Sequence, residues 1–218
     1  MKNIMSLAAL GVAIISLAGC NSLTGDAYDT LRLAYSGPDP SITLEQVSAV
    51  DNPVLIARLG VANAMLVSAG AASGLVEWYG TTEMFLTHGG RIVQTAGLPS
   101  DPIAPLLADD PFILGLTTLN DGHRVTRLVD YPAQYLTGLR QHATYRIGSI
   151  EPITFMGTSH ALLRIDEHIQ MPELSFTATN QYWVEPQSGL VRHSVQHIAP
   201  DLPPLQLTLV TTRQTEQP

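Results

Sequence analysis

Beyond Asn52-Pro53 the chain falls into short runs rich in Val, Ile, Thr, Leu and aromatic residues, separated by turns that carry glycine. Runs of this kind, bounded by turn formers, read as strands. They cover Val54–Leu59, Ala64–Ser68, Leu75–Tyr79, Glu83–Thr87, Arg91–Thr95, Arg124–Tyr131, Ala143–Ile150, Ser159–Ile169, Phe176–Glu185, Leu190–Ile198 and Leu205–Thr212. The alternation is clearest near the C-terminus. Leu205, Leu207 and Leu209 share one face while Gln206 and Thr208 share the other, as a half-buried antiparallel strand requires. Two hairpins are marked by their turns. His88-Gly89-Gly90 joins Glu83–Thr87 to Arg91–Thr95, because glycine supplies the positive φ of a tight turn; Pro186-Gln187-Ser188-Gly189 does the same between Tyr182 and Val191. The pattern predicts a mainly β fold built as a single antiparallel meander sheet.

Two stretches break that pattern. Ahead of the first strand, the breaker run Gly37-Pro38-Asp39-Pro40 is followed by Ser41-Ile42-Thr43-Leu44-Glu45-Gln46-Val47, which offers an N-cap and a short N-terminal helix. Between Leu98 and Asn120, prolines at 99, 102, 105 and 111 make one long Pro-rich connection. Asp101 is placed to cap a short helix from Pro102 that turns Leu106 and Leu107 inward. A connection of this length in a compact domain is either functional or a packed flap over a sheet edge.

A different apolar segment opens the chain. Ile4–Ala18 follows Lys2, is too short to span a bilayer comfortably, and has the length of a signal-peptide core. It ends in Leu17-Ala18-Gly19-Cys20, which resembles a bacterial lipobox. The resemblance implies diacylglycerol transfer to the Cys20 thiol, cleavage before Cys20 and acylation of the new N-terminus, with palmitate among the attached chains. The expected layout is a lipoprotein signal peptide at 1–19, a lipidated tether at 20–27, a single β-rich domain at 28–213 and a frayed tail at 214–218. Each buried methylene of a lipid anchor contributes about 0.8 kcal/mol, so two or three chains on one cysteine hold firmly. Asn21, rather than an inner-membrane-retaining aspartate, follows Cys20 and points to the outer membrane. At roughly 3.3 Å per residue the tether from Asn21 to Ala27 reaches about 25 Å, which keeps the folded part near the membrane surface.

Composition then narrows the function. The chain has 218 residues, 45% of them apolar and only 14% charged, with a formal net charge of −8. These values argue against disorder and against a sequence-independent hold on nucleic acid. Cys20 is the only cysteine, so no intramolecular disulfide is possible. Removing the signal also removes Lys2, the only lysine, and leaves ten arginines against 19 acids, a net charge of −9.

Several motifs fall short of a catalytic constellation. No Gly-x-Ser-x-Gly elbow occurs; in Gly157-Thr158-Ser159-His160, the adjacent Ser and His of a strand point to opposite faces. His193 and His197 have the spacing of a zinc helix but lack its glutamate, and on a strand they would stand roughly 13 Å apart. His160 and His168 raise the same idea more faintly. The carboxylate pairs Asp109-Asp110 and Asp166-Glu167 diverge on a strand and are solvated in a loop, unlike the paired acids of a glycosidase. No catalytic residue, metal or cofactor is expected. Trp78, Tyr79, Tyr182 and Trp183 are the densest aromatic groups. Their rings either pack in the core or offer faces to sugar rings. Arg91 either contacts an acidic polymer or solvates the edge of its hairpin.

Two segments carry a resemblance to a known family. Glu77-Trp78-Tyr79-Gly80 followed by Met84 to Leu98, and Gln181-Tyr182-Trp183-Val184-Glu185 followed by Ser188 to Pro200, are similar in order and spacing to the group 4 capsule lipoprotein family, also called the YjbF or GfcB family. The lipobox and Tyr28-Asp29-Thr30-Leu31-Arg32 extend the likeness over nearly the whole chain; His88 departs from the family's usual small polar turn residue. The resemblance implies a sheet curled into a barrel-like body and a periplasm-facing lipoprotein of the outer membrane. It also implies a role in exopolysaccharide or capsule secretion or assembly, with export proteins as partners. No family catalytic residues carry over. The leading expectation is a non-enzymatic lipoprotein held to the membrane by Cys20, with Trp78, Arg91 and Trp183 as interaction candidates. The alternatives are a polysaccharide-modifying hydrolase or lyase and a passive polysaccharide binder.

Overall fold

A computed structural model describes residues 42–210. The signal peptide, Cys20, the tether, the Gly37–Pro40 breaker run and the C-terminal tail lie outside the described residues. The eleven strands are β1 (Val54–Leu59), β2 (Ala62–Ala72), β3 (Leu75–Tyr79), β4 (Met84–His88), β5 (Arg91–Ala96), β6 (Arg124–Tyr131), β7 (Leu136–Phe155), β8 (Thr158–Met171), β9 (Phe176–Val184), β10 (Val191–Gln196) and β11 (Leu205–Val210). All pair antiparallel in one sheet curled into a half-barrel, in the order β5-β4-β3-β2-β1-β11-β10-β9-β8-β7-β6. The order resolves the expected meander into two, β1–β5 and β6–β11. They join where the first strand pairs with the last, from Val54 opposite Val210 to Leu59 opposite Leu205.

The joint is covered from outside by α1 (Leu44–Ser48), one of two short α-helices among the described residues. Thr43 accepts a hydrogen bond from the Gln46 amide, and the Gln46 side chain accepts one from the Thr43 amide, so two of the orphan donors at the helix start are satisfied. Val47, fully buried, packs on Val54 and Val210.

The Pro-rich connection bridges the two edges of the sheet. Ile103 exchanges backbone hydrogen bonds with Asp130 of β6 at 2.9 Å each way, while the Thr95 amide donates to Pro102 and the Ala104 amide to Val93 of β5. Asp101 does not cap a helix at Pro102. Its carboxylate instead accepts from the Thr95 hydroxyl and the Gly97 and Leu98 amides, which fastens the exit of β5. The helix lies nine residues later, as α2 (Pro111–Leu114), with Asp110 as its cap and Pro111 at its first position. The proline has no N–H to waste there. Leu106 is half-buried, and Leu107, expected inward, is exposed.

The glycine turn between β4 and β5 enters the core. A Cβ on Gly90, at φ +89°, would lie 2.5 Å from the Cβ of Val191, and one on Gly89 would lie 2.6 Å from the Phe112 carbonyl oxygen. Only glycine fits so close an approach. The interior face carries two main apolar groups. One gathers Phe112, Ala143, Tyr145, Ile165, Ile169, Tyr182 and Val191; the other gathers Leu55, Leu66, Trp78, Phe85, Leu205 and Leu207. Each fully buried aliphatic or phenyl side chain contributes about 1.5–3 kcal/mol.

Candidate functional site

Two features stand out: a sealed polar network that ties β5 to β6–β9, and an apolar cavity where the two meanders meet. The network centres on Glu167, which shares the inward phase of β8 with Ile165 and Ile169. One carboxylate oxygen accepts from Arg127 Nη1 at 2.6 Å and from the Tyr145 hydroxyl at 2.7 Å. The other accepts from Arg91 Nη1 at 2.5 Å, Asn180 Nδ2 at 2.8 Å and the Tyr182 hydroxyl at 3.1 Å. Arg127 also donates to Asp110 from Nε at 2.6 Å and to the Tyr145 oxygen from Nη2. Arg91 also donates to Gln141 and to the Tyr182 oxygen. Two cations face two anions, so the cluster is formally neutral, as groups this far from water must be.

Burial pushes the Glu167 carboxyl up, but the guanidiniums of Arg91 and Arg127, with hydrogen bonds from Asn180 and Tyr145, outweigh it and hold the group well below the usual carboxylate range. Burial and the Glu167 charge together push both tyrosine hydroxyls far up, so they stay protonated donors. The network therefore joins β5, β6, β7, β8, β9 and the cap of α2 through one carboxylate. Gln196 of β10 adds a second tie. Its side-chain oxygen accepts from the Ile92 amide and its nitrogen donates to the Gly90 carbonyl oxygen, both at 2.9 Å, so the amide takes the place of a neighbouring strand.

The cavity, open to solvent on one side, holds about 520 Å³ between the two apolar groups. Leu55 of β1, Val76 and Trp78 of β3, and Leu207 and Leu209 of β11 form its wall, and the β9–β10 turn at Ser188–Leu190 lies at its rim. The Trp78 ring is fixed by a 2.9 Å hydrogen bond from Nε1 to the Thr87 hydroxyl.

The interaction candidates fall in three different places. Trp78 lines the cavity. Arg91 is buried inside the network, at 4% exposure, rather than solvating its hairpin edge, because Glu167 and Gln141 reach it from across the interior. Trp183 lies on the opposite face of β9 from Tyr182, under the Arg164 guanidinium and hydrogen-bonded through Nε1 to Glu151, with 8% exposure. Cys20 is outside the described residues. Asp166 and Glu167 diverge across β8 as a strand pair should, whereas Asp110, expected to be solvated in its loop, is buried. Asp110 and Glu167 are buried with arginines, whereas Asp166 turns outward and pairs with Arg164 at 2.8 Å.

The histidines do not converge. His193 contacts the Thr208 hydroxyl on β11, and His197, beyond the end of β10, contacts Asn180. Burial lowers the pKa of both. His160 stacks on Phe155 with ring centroids 4.3 Å apart, and His168 contacts Thr179. Among the described residues no three His, Cys, Asp or Glu side chains form a metal-binding group. Sequence reasoning missed Arg127, Tyr145, Asn180 and the central role of Glu167. The signal was present: Arg127 shares its phase with Val125 and Val129, so a charge falls where alternation demands an apolar residue.

Comparison with known proteins places this fold. The crystal structure of the hypothetical lipoprotein YmcC from Escherichia coli K12 superposes with a TM-score of 0.68 at 21% identity, covering 83% of this chain and 93% of the other. A curated relative, described as the uncharacterized lipoprotein GfcB of Escherichia coli K12, is 20% identical over 205 residues, which is 92% of this chain and 96% of the relative. The sequence signature of the YjbF family, described as group 4 capsule polysaccharide lipoprotein, matches residues 28–210. The chain belongs to this family of capsule lipoproteins.

Proposed function

We propose that the protein is anchored through acyl chains on Cys20 to the periplasmic face of the outer membrane, where it supports secretion or assembly of an exopolysaccharide by docking to export proteins, without catalysing a reaction. The single observation that carries this reading is the family match over residues 28–210. The lipobox around Cys20 supplies the membrane address, and the relative named as a lipoprotein agrees with it. A non-enzymatic role is supported by the state of Glu167. This fully buried carboxylate already accepts five hydrogen bonds, so it has no oxygen to offer a glycosidic bond or a water.

The test is genetic and biochemical. Deleting the gene lowers the amount of surface polysaccharide; an unaltered surface polymer would overturn the reading. Metabolic labelling with palmitate marks the wild-type protein and not Cys20→Ala, and equal labelling of both would remove the anchor from it.

A further inference from the structure

We propose that the apolar cavity is a binding site for one fatty acyl chain. The cavity opens to solvent at its rim, so a ligand can enter it from outside. Its space of about 520 Å³ is of ligand size. A water molecule occupies about 30 Å³ of liquid and a methylene is of similar size, so the space accommodates a chain of roughly 15–18 carbons.

The lining selects the same class. Leu55, Val76, Leu207 and Leu209 present aliphatic surface and Trp78 an indole face. The polar groups at the wall are already engaged. The Thr87 hydroxyl accepts from Trp78, the Ser194 hydroxyl accepts from Gln196, Arg192 pairs with Glu185 at 3.5 Å and His193 contacts Thr208. A sugar would need hydrogen bonds that this wall spends on itself, whereas a hydrocarbon needs none. Ser188, Gly189 and half-exposed Leu190 form a rim where the polar end of the lipid reaches water. The inference stands apart from the capsule reading. A chain from the Cys20 anchor and a chain of a membrane lipid would meet the same wall.

The two tryptophans provide the assay, because Trp78 lines the cavity and Trp183 lies on the opposite face of the sheet. In the full mature chain carrying Cys20→Ala and Trp183→Phe, titration with dibromostearate, a contact quencher, lowers Trp78 emission saturably with one ligand per chain. Unbrominated stearate competes without quenching. Val76→Phe and Leu209→Phe each fill the cavity and weaken binding about tenfold or more, a change of at least ~1.4 kcal/mol, while their melting temperatures stay near that of the parent. The same titration with Cys20 intact and lipidated separates the sources. Binding that is lost there identifies the protein's own anchor as the occupant, and binding in both backgrounds identifies a membrane lipid; either supports the site. Absence of saturable quenching in both backgrounds, or quenching untouched by both filling variants, overturns it.

Discussion

Glu167→Gln keeps the shape of the central side chain and removes its charge, leaving two buried guanidiniums facing each other without the anion between them. Arg127 retains Asp110 at 2.6 Å, but the other partners of Arg91, Gln141 and Tyr182, are neutral. Breaking a buried ion pair by removing one partner costs about 3–5 kcal/mol, because the remaining charge is desolvated and uncompensated. For a domain of this size each kcal/mol lowers the melting temperature by roughly 2–4 °C, so the variant melts about 6–20 °C below wild type when circular dichroism follows unfolding. Charge balance predicts more. Arg91→Met/Glu167→Gln restores neutrality and is more stable than Glu167→Gln alone, which a double-mutant cycle reads as coupling. A loss below about 2 °C for Glu167→Gln, or strictly additive effects, would refute the clasp. Acid provides an independent check. The Glu167 carboxyl is held below its unfolded value of about 4.3, so its contribution is complete above that pH and is lost as pH falls toward the folded value. Urea midpoints of wild type and Glu167→Gln, well separated at neutral pH, therefore draw together in acid below about pH 4.

Three further substitutions probe neighbouring parts. Gly90→Ala combines a left-handed backbone with a 2.5 Å clash against Val191 and costs about 2–5 kcal/mol in urea unfolding, whereas Gly138→Ala, at φ +67° with open space around it, costs about 1–2. Thr87→Val leaves the Trp78 N–H buried without its acceptor and destabilises by about 1–3 kcal/mol, while Thr87→Ser keeps the bond and most of the stability. Asp110→Asn preserves an oxygen for the Phe112 amide and loses the ion pair with Arg127. Asp110→Ala loses both, and thermal melts place it about 0.5–2 kcal/mol lower.

Where alternation was strict and turns were sharp, the elements were legible residue by residue: β1, β3 and β6 lie at their predicted bounds. The first turns of β7 were missed because Leu136 to Arg140 face water on most sides, and its far end because Pro152 reads as a breaker although this strand accommodates it. The helix was misplaced by nine residues since Asp101-Pro102 and Asp110-Pro111 carry the same local capping signal; only the bonds from Asp101 to the end of β5 distinguish them. The pairing of β1 with β11 and the bridging of both sheet edges by Ile103 are long-range facts that no local pattern encodes. Arg91 shows the same limit. A hairpin arginine looks solvent-bound until the curl of the sheet brings Glu167, 76 residues away, to its guanidinium.

Complementation of a deletion strain tests the lipid-anchored role in polysaccharide export most directly. Surface polysaccharide is measured in cells producing either the wild-type protein or Cys20→Ala, matched for protein abundance in the envelope. Wild type is predicted to restore the polymer and Cys20→Ala to leave it low. Full restoration by the unlipidated variant would contradict the anchored role.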